Sequence, residues 1–281
     1  MQFNPKPLPE VHGHRGCRGL RPENTLPAFL HGLALGVDVL ELDVIISSDN
    51  QVVVSHEPWL NPQICLDPSA QLLDPATAAA KFNLYQLPYE VIRRCDCGQL
   101  GHPRFPEQLA QPAHKPLLSE AIAAVEQAAD KLGRQDIRYS IEIKSSPAGD
   151  GIFHPAPADF VRLVVEELVA GGIVSRATLM SFDSRILEAV HLIYPSCLTC
   201  LLLEADQDWN TSLQELSFLP TTLGPDFTTV SSATIKKWRA LYPVMRLVPW
   251  TVNDPSDMQR LKALGVEGIT TDYPDRLLLL L

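Results

Sequence analysis

The sequence predicts an α/β fold, a TIM (β/α)8 barrel with a small inserted subdomain after the second barrel strand. Eight short apolar runs bounded by turn residues alternate with stretches of helical periodicity, the rhythm of parallel strands joined by helices. The chain of 281 residues has a length at which such a barrel commonly forms one domain, taken here as residues 1–281. One proline-containing stretch, residues 57–115, breaks the rhythm and reads as an inserted subdomain over the pocket mouth, because barrel active sites are built from the loops that follow the strands.

The predicted strands are Val11–His14, Val39–Ile45, Arg138–Ile143, Ala177–Phe182, Cys197–Leu203, Thr222–Phe227, Arg246–Val252 and Gly268–Thr271. The helices between them are Thr25–Leu35, Leu118–Leu132, Ala158–Ala170, Ser184–Ile193, Ser212–Leu216, Ser231–Leu241 and Pro255–Leu264, each mixing apolar and charged positions at helical spacing. Asn253-Asp254-Pro255 is a good helix start and Gly265 a good helix stop. Val52–His56 follows the second strand across Ser47–Gln51, which reads as a hairpin turn.

Composition narrows the function. Thirty-three Asp and Glu against 23 Lys and Arg give a net charge of −10, which argues against non-specific binding of nucleic acid or anionic lipid. No run of 18 apolar residues suggests stable membrane insertion, and Met1–Pro7 lacks the apolar stretch of a signal sequence. A cytoplasmic location is expected, or a periplasmic or secreted one had a leader been removed. Six cysteines are too few for a disulfide scaffold at this size. Most of the six are expected to be free thiols: Cys197 and Cys200 read as small apolar strand residues, and for Cys95 and Cys97, with Cys65 upstream, a metal or a bridge is only the alternative.

The carboxyl ends of the strands, where barrel chemistry collects, are polar. The first ends in His14-Arg15-Gly16, and the hairpin ends in His56. In Val39–Val44 the acids Glu41 and Asp43 alternate with aliphatics, so both share one strand face; Glu142 and Lys144 do the same in the third strand. Two acids on a buried face need a cation, and oxygen ligands suit one divalent metal, Ca2+ or Mg2+. Arg15 and Lys144 are suited to phosphate, although Lys144 beside Glu142 also suits an internal ion pair. Two histidines can move protons near neutral pH, as an alkoxide leaving group requires. The set therefore predicts phosphodiester chemistry. His12 reads as a structural histidine, Asp183 as a helix cap, and Phe182 and Trp250 suit either a core or a pocket wall.

In the order His14-Arg15-Gly16, Pro22-Glu23-Asn24-Thr25, Glu41-Leu42-Asp43-Val44, Ser55-His56, Ile141-Glu142-Ile143-Lys144, Trp250-Thr251-Val252-Asn253 and Gly268–Pro274, the chain resembles the glycerophosphodiester phosphodiesterase family. The resemblance implies a metal-dependent hydrolase acting on a small-molecule glycerophosphodiester to release sn-glycerol 3-phosphate and an alcohol. It implies His14 and His56 as the acid–base pair and Glu41, Asp43 and Glu142 as metal ligands. It further implies Arg15, Lys144 and Glu23 as substrate-binding residues, with Phe182 and Trp250 lining the glycerol side. Attack by the substrate's own glycerol hydroxyl or by water is left open, as is the alcohol. A departure is Glu57 where relatives often carry Asp. A phospholipase D-like lyase on the same barrel and a binding-only barrel are the competing readings.

Overall fold

The computed structural model describes residues 8–281, so Met1–Pro7, read above for a signal sequence, lie outside the described residues. The first half of the barrel contains β1 (Glu10–Gly13), α1 (Leu26–Leu35), β2 (Val39–Ile46) and β3 (Val52–Val54), then the short helices α2 (Ala78–Lys81) and α3 (Tyr89–Ile92) of the excursion, then α4 (Leu118–Leu132) and β4 (Arg138–Ile143). The rest alternates α5 (Pro157–Ala170), β5 (Ala177–Ser181), α6 (Ser184–Ile193), β6 (Leu198–Leu203), α7 (Trp209–Gln214), β7 (Thr222–Pro225), α8 (Ser232–Leu241), β8 (Arg246–Leu247), α9 (Pro255–Leu264), β9 (Gly268–Thr271) and α10 (Pro274–Leu278).

The sheet runs β8-β7-β6-β5-β4-β2-β1-β9 with every neighbour parallel, and β3 pairs antiparallel with β2 as the hairpin reading required. Single backbone bonds close the ring between β8 and β9, Glu267 to Leu247 at 3.0 Å, Thr270 to Pro249 at 3.0 Å and Val252 to Thr270 at 2.9 Å. Here the expected strand Arg246–Val252 is regular over Arg246–Leu247 alone, because Pro249 has no N–H to donate and the chain beyond is bonded singly to each side. Helix α7 begins earlier than predicted because Asp208 accepts from the backbone of Asn210 and Thr211. Helix α10 was not anticipated; it begins at Pro274.

Leu40, Leu42 and Val44 pack outward against the helices in one large core with Phe29, Leu118, Ile122 and Phe160, which leaves the alternate side chains of β2 facing the barrel axis. The excursion has a second apolar cluster of its own, around Leu60, Ile64, Leu84, Tyr89 and Ile92, which packs through Ile45 and Val53 on the β2–β3 face opposite the outer core, the face that carries Glu41 and Asp43. Within it Cys65 and Cys97 form a disulfide, whereas Cys17, Cys95, Cys197 and Cys200 are free. The expectation of free thiols is thus corrected at Cys65 and Cys97, which the fold of the excursion brings together although they lie 32 residues apart. At the opposite end of the barrel, buried His12 meets Glu10 at 3.3 Å. Glu10 also pairs with Arg138 and Arg246, so His12 belongs to a polar plug at the barrel base.

Candidate active site

The turn after β1 takes left-handed backbone at three positions, two of them held by residues that tolerate it, Gly16 and Asn24. Arg15 has φ +49° and Gly16 φ +86°, and a Cβ on Gly16 would lie 2.7 Å from the carbonyl carbon of Ala28, so only glycine fits. Asn24 is also left-handed, at φ +56°, and Thr25 then caps α1 by accepting from the Ala28 amide. The motif His-Arg-Gly followed by Pro-Glu-Asn-Thr is therefore one folded loop. It turns the Arg15 amide onto Glu41 Oε2 at 2.6 Å and the Asn24 side-chain amide onto Asp43 Oδ2 at 2.8 Å.

The parallel register sets Asp43 beside Glu142, with Glu41 one pleat deeper beside Ser140. Glu41, Asp43 and Glu142 each present an oxygen, all within 4.8 Å of one another. Burial and the Asp43 charge hold the Glu41 carboxyl well above its ordinary range, and burial raises Glu142 against the pull of Lys144. Burial would also raise Asp43, but Lys144 and Arg15 outweigh it and hold Asp43 well below the usual range. Lys144 Nζ lies 2.6 Å from Glu142 and 3.0 Å from Asp43, so the internal ion pair is the arrangement the structure contains. Arg15 pairs with Glu23 at 2.7 Å and Arg18 approaches the same acid at 3.7 Å.

Around this floor, Glu23, Glu41, Asp43, Glu57, Glu142 and Asp272 face the cations Arg15, Arg18, Lys115 and Lys144. With every acid ionised, as a bound cation would require, the acids exceed these cations by two, and Asp43 Oδ1 is buried without a well-directed hydrogen bond. An all-oxygen trio with a surplus of two charges fits a hard divalent cation.

His14 Nδ1 lies 2.6 Å from Asp272 Oδ1, and Asp272 is gripped by Arg18 at 2.9 and 3.1 Å and by Asn253 Nδ2 at 2.8 Å. Burial would raise the Asp272 carboxyl, but His14 and then the Arg18 guanidinium hold it far below the usual carboxylate range. An ionised carboxylate only accepts, so Nδ1 carries the proton and Nε2 presents its lone pair, 3.9 Å from Glu41. Burial, with the Arg18 charge, lowers the imidazole pKa to about 4 although Asp272 opposes it. His56 is a third exposed and bonds through Nδ1 to Glu57 at 3.1 Å. Burial acts against ionisation of Glu57, but His56 and then Lys115 hold it down to about 2. The carboxylate that stands in for the expected Asp is thus engaged with the histidine.

A cavity of about 550 Å3 runs along the barrel axis and is lined by His14, Arg15, Glu41, His56, Glu142, Lys144, Phe182 and Trp250, together with Asp272 and Arg18. Phe182 and Trp250 meet edge to face at 5.3 Å, and Trp250 Nε1 donates to the Gly224 carbonyl at 2.8 Å. Asp183 caps α6 by accepting from the Arg185 amide at 3.1 Å, as the helix-cap reading expected. Glu23 and Asp43 stand behind Arg15, in contact with the site rather than on the cavity wall. Asp272, Arg18, Asn253 and Lys115 had no role assigned from sequence. Asp272 was visible at the end of a barrel strand, and that position was the available signal.

A sequence profile described as the glycerophosphoryl diester phosphodiesterase family matches residues 14–276. A glycerophosphodiester phosphodiesterase of Bacillus altitudinis is 28% identical over 274 residues, covering 96% of each chain. The crystal structure of a Silicibacter pomeroyi DSS-3 protein superposes with a TM-score of 0.84 at 29% identity, covering 96% of this chain and 92% of that one. A phosphodiesterase from Oleispira antarctica, solved with the product sn-glycerol-3-phosphate, shares the fold at a TM-score of 0.74 and 20% identity, with 96% of each chain covered.

Proposed function

Since the chain belongs to the glycerophosphoryl diester phosphodiesterase family, we propose that it hydrolyses glycerophosphodiesters to sn-glycerol 3-phosphate and an alcohol at the cavity between His14 and Glu142. The observation that carries the reading is the convergence, at one cavity, of a carboxylate-supported histidine, a second histidine and a trio of buried acids, two of which, Glu41 and Glu142, lie on its wall. Glu41, Asp43 and Glu142 would hold one divalent cation, Ca2+ or Mg2+, and such an ion when bound supplies a Lewis acid for the phosphate oxygens. Arg15, fixed by Glu23, and Lys144 donate to the non-bridging oxygens. Phe182 and Trp250 pack on the glycerol arm.

His14 Nε2 accepts the proton of the glycerol 2-hydroxyl as that oxygen bonds to phosphorus, and Asp272 stabilises the imidazolium that forms. The bond from phosphorus to the alcohol oxygen breaks while His56 delivers a proton to it. In the second step water opens the cyclic ester with the two histidines exchanging roles, which returns both to their starting protonation. Release of sn-glycerol 3-phosphate from a panel of diesters, in EDTA and with Ca2+ or Mg2+ restored, tests reaction and cofactor together. Metal-restored release is expected, with a cyclic phosphate visible by phosphorus NMR at early times. No release from any diester with either ion present overturns the reading.

A further inference from the structure

Among the residues lining the cavity, Arg104 is the one contributed by the excursion 57–115. The other cations lining the cavity are all ion-paired: Arg15 and Arg18 with Glu23, Arg18 also with Asp272, Lys144 with Asp43 and Glu142, Arg138 and Arg246 with the one carboxylate of Glu10, and Arg176 with Glu126. Arg104 forms no ion pair among the described residues. Its one side-chain partner is the Phe105 ring, 5.6 Å from the guanidinium carbon.

The position is fixed even though the side chain is exposed. The Arg104 amide donates to His102 Nδ1 at 3.1 Å, and the Phe105 amide donates to the His102 carbonyl at 3.0 Å, which closes a tight turn. Phe105 is buried beneath the Arg18 guanidinium at 4.7 Å, and the largely covered side chain of His102 faces Glu23 at 4.0 Å. Gln108 Nε2 donates to the Arg18 carbonyl at 2.7 Å, the Leu109 amide to Leu20 at 3.0 Å, and Glu107 pairs with Arg276. The excursion is therefore stapled to the loop after β1 and to α10. The opposite rim is acidic, with Glu204 and Asp226 next to Phe227.

We propose that Arg104 is a specificity residue that selects glycerophosphodiesters whose alcohol carries its own anionic group, a carboxylate or a second phosphate. The inference rests on the reaction proposed above. With the glycerol arm on Phe182 and Trp250, the leaving alcohol extends toward the rim formed by the excursion, where an unpaired guanidinium is available for a bidentate anion contact.

Glycerophosphoserine and glycerophosphoethanolamine differ by a single carboxylate, and the ratio of their kcat/KM values isolates it. The wild-type ratio is expected to favour serine by about tenfold, the scale of one charge-assisted hydrogen bond, and to fall as salt is raised. Arg104→Gln brings the ratio toward one, Arg104→Glu inverts it and Arg104→Lys retains part of it. A wild-type ratio near one, or a ratio that survives Arg104→Glu because both substrates weaken together, overturns the assignment. In that case Arg104 acts on the shared phosphate or not at all. Wild-type release of sn-glycerol 3-phosphate from both compounds is the control that separates this failure from failure of the reaction itself. Absence of release refutes both.

Discussion

Replacing Glu41 with Gln should make the protein more stable without metal and less stable with it. The oxygens of Glu41, Asp43 and Glu142 lie within 4.8 Å of one another, and two unit charges at that separation repel by about 3–4 kcal/mol at an effective dielectric near 20. Lys144 and Arg15 offset part of this, and the raised pKa of Glu41 relieves more through proton uptake. A net gain of about 1 kcal/mol is expected on neutralising Glu41, which moves Tm upward by about 2–4 °C in a chain of this size. Gln keeps the acceptor that the Arg15 amide needs, so the turn after β1 is preserved. The wild type should instead gain about 2.7 kcal/mol, or roughly 5–11 °C, at a cation concentration about 100-fold above Kd. Glu41→Gln loses most of that gain because a ligand charge is gone. Calorimetry or dye-monitored melting in EDTA, Ca2+ and Mg2+ reads both effects, and the two stability orders should cross. A wild type indifferent to both ions, or a variant that is weaker in EDTA yet keeps the full metal shift, refutes the carboxylate-trio argument.

Four further outcomes are expected. His14→Ala and His56→Ala should each lower kcat by about 10^2–10^4-fold while the metal-induced melting shift persists, and near-normal turnover in either would remove it from the proton-transfer role. Asp272→Asn withdraws the charge behind His14 and one partner of Arg18, so kcat should fall by at least about 10^2-fold with about 1–3 kcal/mol lost in urea unfolding. His14 has a folded pKa near 4 against an ordinary value of 6.5, so the unfolded chain takes up its proton first as pH falls. Its contribution is fully present above pH 6.5 and about 3 kcal/mol is lost by pH 4. Urea midpoints across that window should flatten in His14→Ala, and an equal slope in both proteins would contradict a buried neutral imidazole. Finally, the Cys65–Cys97 bridge closes a separation of 32 residues, so its reduction should cost about 3–4 kcal/mol in the loop-entropy model. Thiol titration under denaturing conditions should find four sulfhydryls before reduction and six after, and six at the outset would mean no bridge.

Much of the fold was legible because strand and helix periods alternate with clear stops. Leu118–Leu132, Ser184–Ile193 and Pro255–Leu264 have the bounds their apolar spacing and caps suggested. What could not be read were contacts that local rules do not govern. The β8 segment is irregular because neighbours on both sides take its hydrogen bonds singly, which periodicity does not report. The excursion lacked long periodic runs because its core is assembled from two one-turn helices and loops around a disulfide, and not from elements long enough to show a face. Within the site, the shared strand face of Glu41 and Asp43 followed from the pleat alone. The pairing of Lys144 with Asp43 needed the register between β2 and β4.

The partner of His14 shows why the remainder was out of reach. Asp272 is 258 residues away, and the two meet only because the ring closes with β9 beside β1, where Gly13 pairs with Thr271. The same seam supplies Asn253, which donates to Asp272 and accepts from its amide, and the Arg18 fork that keeps Asp272 ionised. The acidic trio, in contrast, sits on β2 and β4, away from the seam. The two halves of the site therefore depend on different parts of the barrel. Loosening the seam at β9 should impair proton transfer before metal binding, and a variant such as Asn253→Ala is expected to lower kcat while its melting shift with Ca2+ or Mg2+ stays close to that of the wild type. Simultaneous loss of both would mean that the barrel closes as one cooperative unit around the site.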